Sequence, residues 1–324
     1  MHASQFAPTF WRHISAAVIF SFAAASAQTV APTTPATPTA TTRAAGLPTI
    51  FVVGDSTAKN NAGGAQGWGT AIEAYIDPAK AVVNNVAHAG QSSRTYYNLA
   101  SDWPRALPLI KAGDYVLLVF GINDGSTPDG LGDEVKQTTN PRTGQVEDTH
   151  TYGWYMSKMA VDAEAKGAQV YLLTVTTRNI WTNPKAKFRD ATIVSQDDGY
   201  NPAEDKIERG TGNGKYTQWT KDVGAKLHVP VLDLTNLEAD HYEKLGREKV
   251  MVNYLDHNHT KPAGADMVAS YIISGLKAFK SSPFTAMLSE KGKAVETADA
   301  KYVSDNAVPT APAKTTDTST PAVK

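Results

Sequence analysis

Residues suited to acyl transfer lie at both ends of this chain. Phe51-Val-Val-Gly-Asp-Ser-Thr-Ala-Lys-Asn60 is an apolar run that ends in Gly-Asp-Ser and continues into a polar, Gly-rich stretch. A strand that delivers a serine to the carboxyl edge of a sheet reads this way, and open α/β folds place their active sites at that edge. Ser56 is the candidate nucleophile, although a serine after a strand also serves as a helix N-cap. The partners that a nucleophilic serine requires stand far along the chain, in Asp256-His-Asn-His-Thr260. His259 is the candidate general base, since imidazole titrates near neutral pH. Asp256, three residues earlier, can reach the far ring nitrogen across one turn, fixing the tautomer and stabilising the imidazolium. A histidine that merely packs at the start of the last helix is the competing reading.

Two further segments offer groups for a developing oxyanion. Asn123 in Gly121-Ile-Asn-Asp124 has a side-chain amide suited to that role, or forms an ordinary Asn-Asp turn. Gly90 in His88-Ala-Gly-Gln-Ser-Ser-Arg94 offers a backbone N–H, or is a glycine needed for its conformation alone. His257 beside Asp256 and His259 raises a metal site, but no matching cluster stands elsewhere, and no metal is expected. Gly210-Thr-Gly-Asn-Gly-Lys215 fails the spacing of a phosphate loop, and Tyr216 stands where Ser or Thr is required. Asp55, Asp124 and Asp133 are loop carboxylates without the pairing a glycosidase needs. Trp68, Trp154 and Trp181 are each read as core or as sugar-stacking surface, with Trp68 evenly balanced.

The elements that must position these groups follow from the apolar pattern. Short β-rich runs at Thr49–Val53, Val82–Ala87, Tyr115–Phe120, Gln169–Thr174 and Val229–Leu234 predict strands. Between them, helical patterns cover Gly69–Ile76, Trp103–Lys111, Thr151–Lys166 and Tyr216–Leu227, and a last helix opens at Pro262 and runs to Phe279. This alternation predicts a parallel sheet with helices on both faces, which brings the loops after the strands to one edge.

Composition bounds the rest. The 324 residues are 41% apolar with a formal net charge of −1, so a sizeable core is expected and no electrostatic case arises for nucleic acid or an anionic membrane. Cysteine is absent, which excludes disulfides and thiol chemistry. Arg12 and His13 precede a short apolar run, and Ala25-Ser26-Ala27 fits a signal-peptidase site. The expected organisation is a signal peptide over 1–27, a disordered Thr/Pro/Ala-rich linker over 28–46, a catalytic domain over 47–284 and a mostly disordered tail over 285–324. The mature protein is expected to be secreted or periplasmic, monomeric and not membrane-bound.

Taken in order, Gly54-Asp-Ser56, Gly90, Gly121-Ile-Asn-Asp124 and Asp256-His-Asn-His259 resemble the four blocks of the SGNH/GDSL hydrolase superfamily. Gly67-Trp-Gly69, Gly90-Gln-Ser-Ser-Arg94, His150-Thr-Tyr-Gly-Trp-Tyr-Met156 and the run from Asp256 to Ala265 are similar to its rhamnogalacturonan acetylesterase branch. Ile122 departs from that branch, which often has histidine there. The resemblance implies a flavodoxin-like, three-layer α/β/α sandwich with a mainly parallel five-stranded sheet. It implies a cofactor-free serine esterase that removes acetyl groups from plant cell-wall polysaccharide, rhamnogalacturonan first. Ser56, His259 and Asp256 would form the triad, and Ser56, Gly90 and Asn123 the oxyanion hole. Trp68, Arg94 and Arg178 are candidate substrate contacts, each arginine able to hold a galacturonate carboxylate or to sit in a structural ion pair. Rival readings are an esterase for xylan or other acetylated sugars, a lipolytic esterase or thioesterase, and a non-catalytic carbohydrate-binding protein. N-terminal mass spectrometry of the exported protein is expected to find Gln28 first; a start at Met1 would mean a retained leader.

Overall fold

The computed structural model describes residues 46–140, 144–181 and 204–306, all within one compact unit spanning 43–324. The predicted signal peptide, most of the linker and residues 307–324 lie outside the described residues. The strands in chain order are β1 (Thr49–Val53), β2 (Val82–Asn85), β3 (Tyr115–Leu118), β4 (Lys136–Thr139), β5 (Val146–Thr149), β6 (Gln169–Leu173), β7 (Val231–Leu232) and β8 (Val303–Ser304). The helices are α1 (Trp68–Ala71), α2 (Ser93–Asn98), α3 (Trp103–Ala106), α4 (Tyr152–Glu164), α5 (Lys215–Leu227), α6 (Leu234–Leu245), α7 (Arg247–Met251), α8 (Pro262–Ala278) and α9 (Glu290–Ala294).

The main sheet runs β2-β1-β3-β6-β7-β8. Its first five strands are parallel, with Val52 opposite Asn85 on one side and Leu117 on the other. Chain order reverses direction at β1 and β3, and the crevice beyond their carboxyl ends is where such sheets bind ligands. The β1 residues are buried on both faces. Ile50, Val52, Leu117 and Leu173 face one cluster, with Ala265, Val268, Ala269, Ile272, Ile273 and Leu276 of α8 at helical spacing. Phe51, Val53, Leu118 and Leu172 face the other, with Tyr152, Met156, Met159 and Ala163 of α4. Each fully buried aliphatic or aromatic side chain contributes about 1.5–3 kcal/mol, so a one-residue slip, which exchanges the faces, is strongly opposed.

The architecture is the α/β sandwich that the pattern predicts, with three differences. A sixth strand, β8, pairs antiparallel with β7 at Leu232 and Val303. The chain therefore stays folded through Asn306, past the expected boundary at 284: α9 packs against the turn after α1, and Tyr302 is buried in the first cluster. A two-residue strand leaves almost no periodic signal, and the flanking Ala, Thr and Asp resemble a disordered segment. Second, β4 and β5 form a separate antiparallel hairpin after β3. Its mostly exposed Lys, Gln, Thr, Glu and Asp residues carry no apolar alternation. Third, α2, α6 and α7 extend the predicted helix set.

At the amino-terminal end of β1 and β3, Asp114 is fully buried and accepts the N–H groups of Thr49 (2.8 Å) and Lys111 (2.9 Å). It anchors the start of β1. Asp114→Ala is expected to lower unfolding free energy by about 1–3 kcal/mol for each N–H left without a partner. Urea denaturation checks this, with the folded fraction keeping its specific activity.

Candidate active site

β1 ends at Val53, Gly54 follows it, and the next residues turn sharply. The N–H groups of Ala58 and Lys59 both donate to the Asp55 carbonyl, and the Asp55 carboxylate accepts the Thr57 N–H and hydroxyl, each at 2.8 Å. Ser56, 6% exposed, stands on this turn. Gly67 follows in a close approach: a Cβ there would lie 2.3 Å from the Ala58 carbonyl, so this position admits no side chain without moving the serine turn.

The loop before α8 supplies the partners. His259 Nε2 lies 3.0 Å from Ser56 Oγ, and His259 Nδ1 lies 2.7 Å from Asp256 Oδ2. The second Asp256 oxygen accepts the N–H groups of Asn258 and His259, both at 2.7 Å. Partial burial pushes the Asp256 carboxyl upward, but the His259 ring and those two N–H groups outweigh it and hold it below the ordinary value. The carboxylate therefore stays ionised, which assigns the Nδ1 proton to His259 and leaves Nε2 able to accept from Ser56.

Three ties hold this loop. Gln66 and Thr260 exchange bonds, the Gln66 N–H to the Thr260 carbonyl (2.9 Å) and the Thr260 hydroxyl to the Gln66 carbonyl (2.7 Å). Leu255 N–H donates to the His259 carbonyl (2.8 Å). Asn179 N–H, from the loop after β6, donates to the His257 carbonyl (2.9 Å).

The neighbouring loops are stitched to the same edge. His88 N–H donates to the Gly54 carbonyl (3.0 Å), which brings the Gly90 segment beside the serine turn. Asn123 donates one amide hydrogen to the Gln91 carbonyl (3.0 Å), joining the loops after β2 and β3. Asp124 is fully buried and accepts the Ser93 N–H (3.0 Å), the Ser93 hydroxyl (2.5 Å) and the Thr127 hydroxyl (2.9 Å). It acts as a strut.

A family model described as the GDSL-like Lipase/Acylhydrolase family matches residues 52–267, from β1 into α8. The chain belongs to this family. It is 28% identical over 235 residues to the uncharacterized esterase YxiM of Bacillus subtilis (strain 168), over 71% of this chain and 52% of that protein. The chain thus spans about half the length of that relative. It is 26% identical over 238 residues to the rhamnogalacturonan acetylesterase of Emericella nidulans, over 70% of this chain and 84% of that protein. The crystal structure of YxiM is similar at a TM-score of 0.53 and 27% identity, over 71% of this chain and 56% of that one.

Ser56, His259 and Asp256 lie within hydrogen-bond reach of one another, whereas the expected substrate contacts of this GDSL-family chain are placed otherwise. Trp68 is 1% exposed inside the first core cluster, so its ring presents no face to a sugar. Arg94 is also 1% exposed and lies inward, 3.3 Å from Glu147 and 2.9 Å from the Thr138 hydroxyl. It ties the hairpin to α2 rather than reaching a ligand. Arg178 forms a bidentate pair with Glu208, at 2.9 Å and 2.7 Å. In each case a residue type suited to a cleft is consumed by packing or by an ion pair, which spacing cannot reveal.

Glu238, on α6, was not legible as a site residue. It is fully buried and accepts the Thr177 N–H at 2.5 Å. Tyr254 donates to the Thr177 carbonyl (3.3 Å) and meets Tyr242 hydroxyl to hydroxyl (2.9 Å). This group supports the segment whose Asn179 holds His257. Burial pushes the Glu238 carboxyl up to about 8, against the Thr177 bond that lowers it. Burial likewise pushes Asp55 and Asp124 up to about 6, against the bonds they accept from Thr57 and Ser93. The folded protein keeps these protons to a higher pH than the unfolded chain. Their contribution is therefore fully present below the ordinary carboxyl range and is lost as pH rises, through about 6 for the aspartates and about 8 for Glu238. Glu238→Gln removes the last part of that loss. Between pH 5 and 8 wild type is expected to lose more unfolding free energy than the variant, by at most about 1.4 kcal/mol per pH unit. Urea titrations at several pH values check it, and parallel curves would contradict it.

Proposed function

We propose that this chain is an exported serine esterase that removes acetyl groups from a plant cell-wall polysaccharide, with acetylated rhamnogalacturonan as substrate. The observation that carries the reading is the line Ser56 Oγ, His259 Nε2, His259 Nδ1, Asp256, with contacts of 3.0 and 2.7 Å. Similarity to an acetylesterase that acts on this polysaccharide supports the substrate. The leader-like N-terminus supports export.

In this mechanism Ser56 attacks the acetyl carbonyl carbon while His259 Nε2 takes the hydroxyl proton. Asp256 holds the ring and balances the imidazolium charge. The carbonyl oxygen becomes an oxyanion, held by the N–H groups of Ser56 and Gly90 and by the Asn123 amide. Asn123 has two amide hydrogens; the Gln91 carbonyl orients the group through one and leaves the other for the oxyanion. Collapse breaks the ester bond, and the sugar oxygen leaves with the proton from His259. Water then attacks the acetyl-serine, giving its proton to His259, and acetate and Ser56 are restored.

Acetate release from acetylated rhamnogalacturonan, acetylated xylan and an aryl acetate tests the scheme. Ser56→Ala or His259→Ala is expected to lower kcat by more than about 10³-fold, and Asn123→Ala by about 10²–10³-fold. Release from xylan or the aryl ester alone would keep the triad and change the substrate. Ser56-independent turnover, or no turnover on any ester, would overturn the reading.

A further inference from the structure

A second histidine–carboxylate pair stands on the same sheet edge. His88 lies in the loop after β2, and its backbone N–H donates to the Gly54 carbonyl, two residues before Ser56. Its side chain is 47% exposed, yet Nδ1 lies 2.7 Å from Oδ1 of Asp102, whose side chain is only 4% exposed. The Ser101 hydroxyl adds a second donor to Oδ1 at 3.2 Å. Oδ2 of Asp102 is buried and has no hydrogen-bond partner among the described residues.

The position of Asp102 makes this arrangement informative. It is the N-cap residue of α3, where an aspartate ordinarily caps the first helical N–H groups and stabilises by about 1 kcal/mol. Here the carboxylate makes no cap bond. It turns to His88 instead and leaves its second oxygen buried without a partner among the described residues, while α3 has no need of it, since Pro104 has no N–H and the Arg105 N–H donates to the Asp102 carbonyl (3.1 Å). Such a carboxylate fixes the Nδ1–H tautomer and the ring plane, leaving Nε2 as an oriented acceptor at the surface. Nothing among the described residues bonds to Nε2.

We propose that His88 is a substrate-contact residue for the alcohol side of the ester: its Nε2 accepts a hydrogen bond from a sugar hydroxyl beside the acetylated carbon. The inference rests on the acetyl-polysaccharide reading. It assigns His88 to saccharide recognition and Asp102 to orienting it, with neither taking part in bond breaking.

The test compares kcat and KM for an acetylated rhamnogalacturonan oligosaccharide and for 4-nitrophenyl acetate. His88→Asn keeps an amide near Nδ1 for Asp102 but has nothing at Nε2, whereas His88→Gln places its amide nearer Nε2. His88→Asn is expected to lose roughly three- to tenfold in kcat/KM on the oligosaccharide, mainly through KM, as one neutral hydrogen bond implies. Its rate on the aryl acetate should stay within about twofold, and His88→Gln should recover part of the loss. Equal loss on both esters would make His88 a support for the oxyanion loop and overturn the proposal, as would no loss on either. A wild-type enzyme that cleaves the aryl acetate but no sugar acetate overturns the polysaccharide reading itself, and this contact with it.

Discussion

Two atoms 203 residues apart, Ser56 Oγ and His259 Nε2, meet at 3.0 Å, and much of the architecture exists to hold that distance. A hydrogen bond weakens steeply with misalignment, so two independent loops could not keep it by chance encounter. The parallel sheet anchors Ser56 at the end of a strand buried on both faces. The exchange between Gln66 and Thr260 then binds the histidine loop directly to the loop that leaves the serine turn. Neither tie involves a reacting atom. Both act by removing freedom from the segments that carry those atoms.

Buried acids are a recurring means of removing that freedom. Asp55 closes the serine turn, Asp124 ties α2 to the loop after β3, and Glu238 supports the segment beside His257. Each accepts hydrogen bonds from backbone or hydroxyl groups rather than a salt bridge, and each is pushed upward by burial. Asp256 is the contrast. It is less buried and is held downward by the histidine and two N–H groups. Position relative to water, more than residue type, separates the struts from the orienting carboxylate.

Legibility in the sequence followed the strength of each local signal. The five parallel strands are short apolar runs, and their order along the chain already places Gly54-Asp-Ser56, Gly121-Ile-Asn-Asp124 and Asp256 to His259 at one edge. Elements whose stability is wholly tertiary were not legible. β8 is two residues that pair with β7, and the β4–β5 hairpin is polar apart from the exposed Val146 and is hung on the inward-facing Arg94. Glu238 looks like any charged residue on an amphipathic helix until the fold buries it. Trp68 and Arg94 failed as substrate contacts for the converse reason: spacing reports which residues neighbour a motif but not which way a side chain turns.

The placement of His259 and β8 late in the chain sets an order of events during synthesis. At about 5–20 residues per second, roughly 10–40 s separate the emergence of Ser56 from that of His259. Throughout that interval the nascent polypeptide has Ser56 without the histidine that meets it in the fold. The outer edge of β7 stays open longer still, until Val303 and Ser304 arrive to pair with it. An unpaired edge strand is a template for wrong partners. Among the described strands, the one made last is therefore the one that covers the exposed edge of β7.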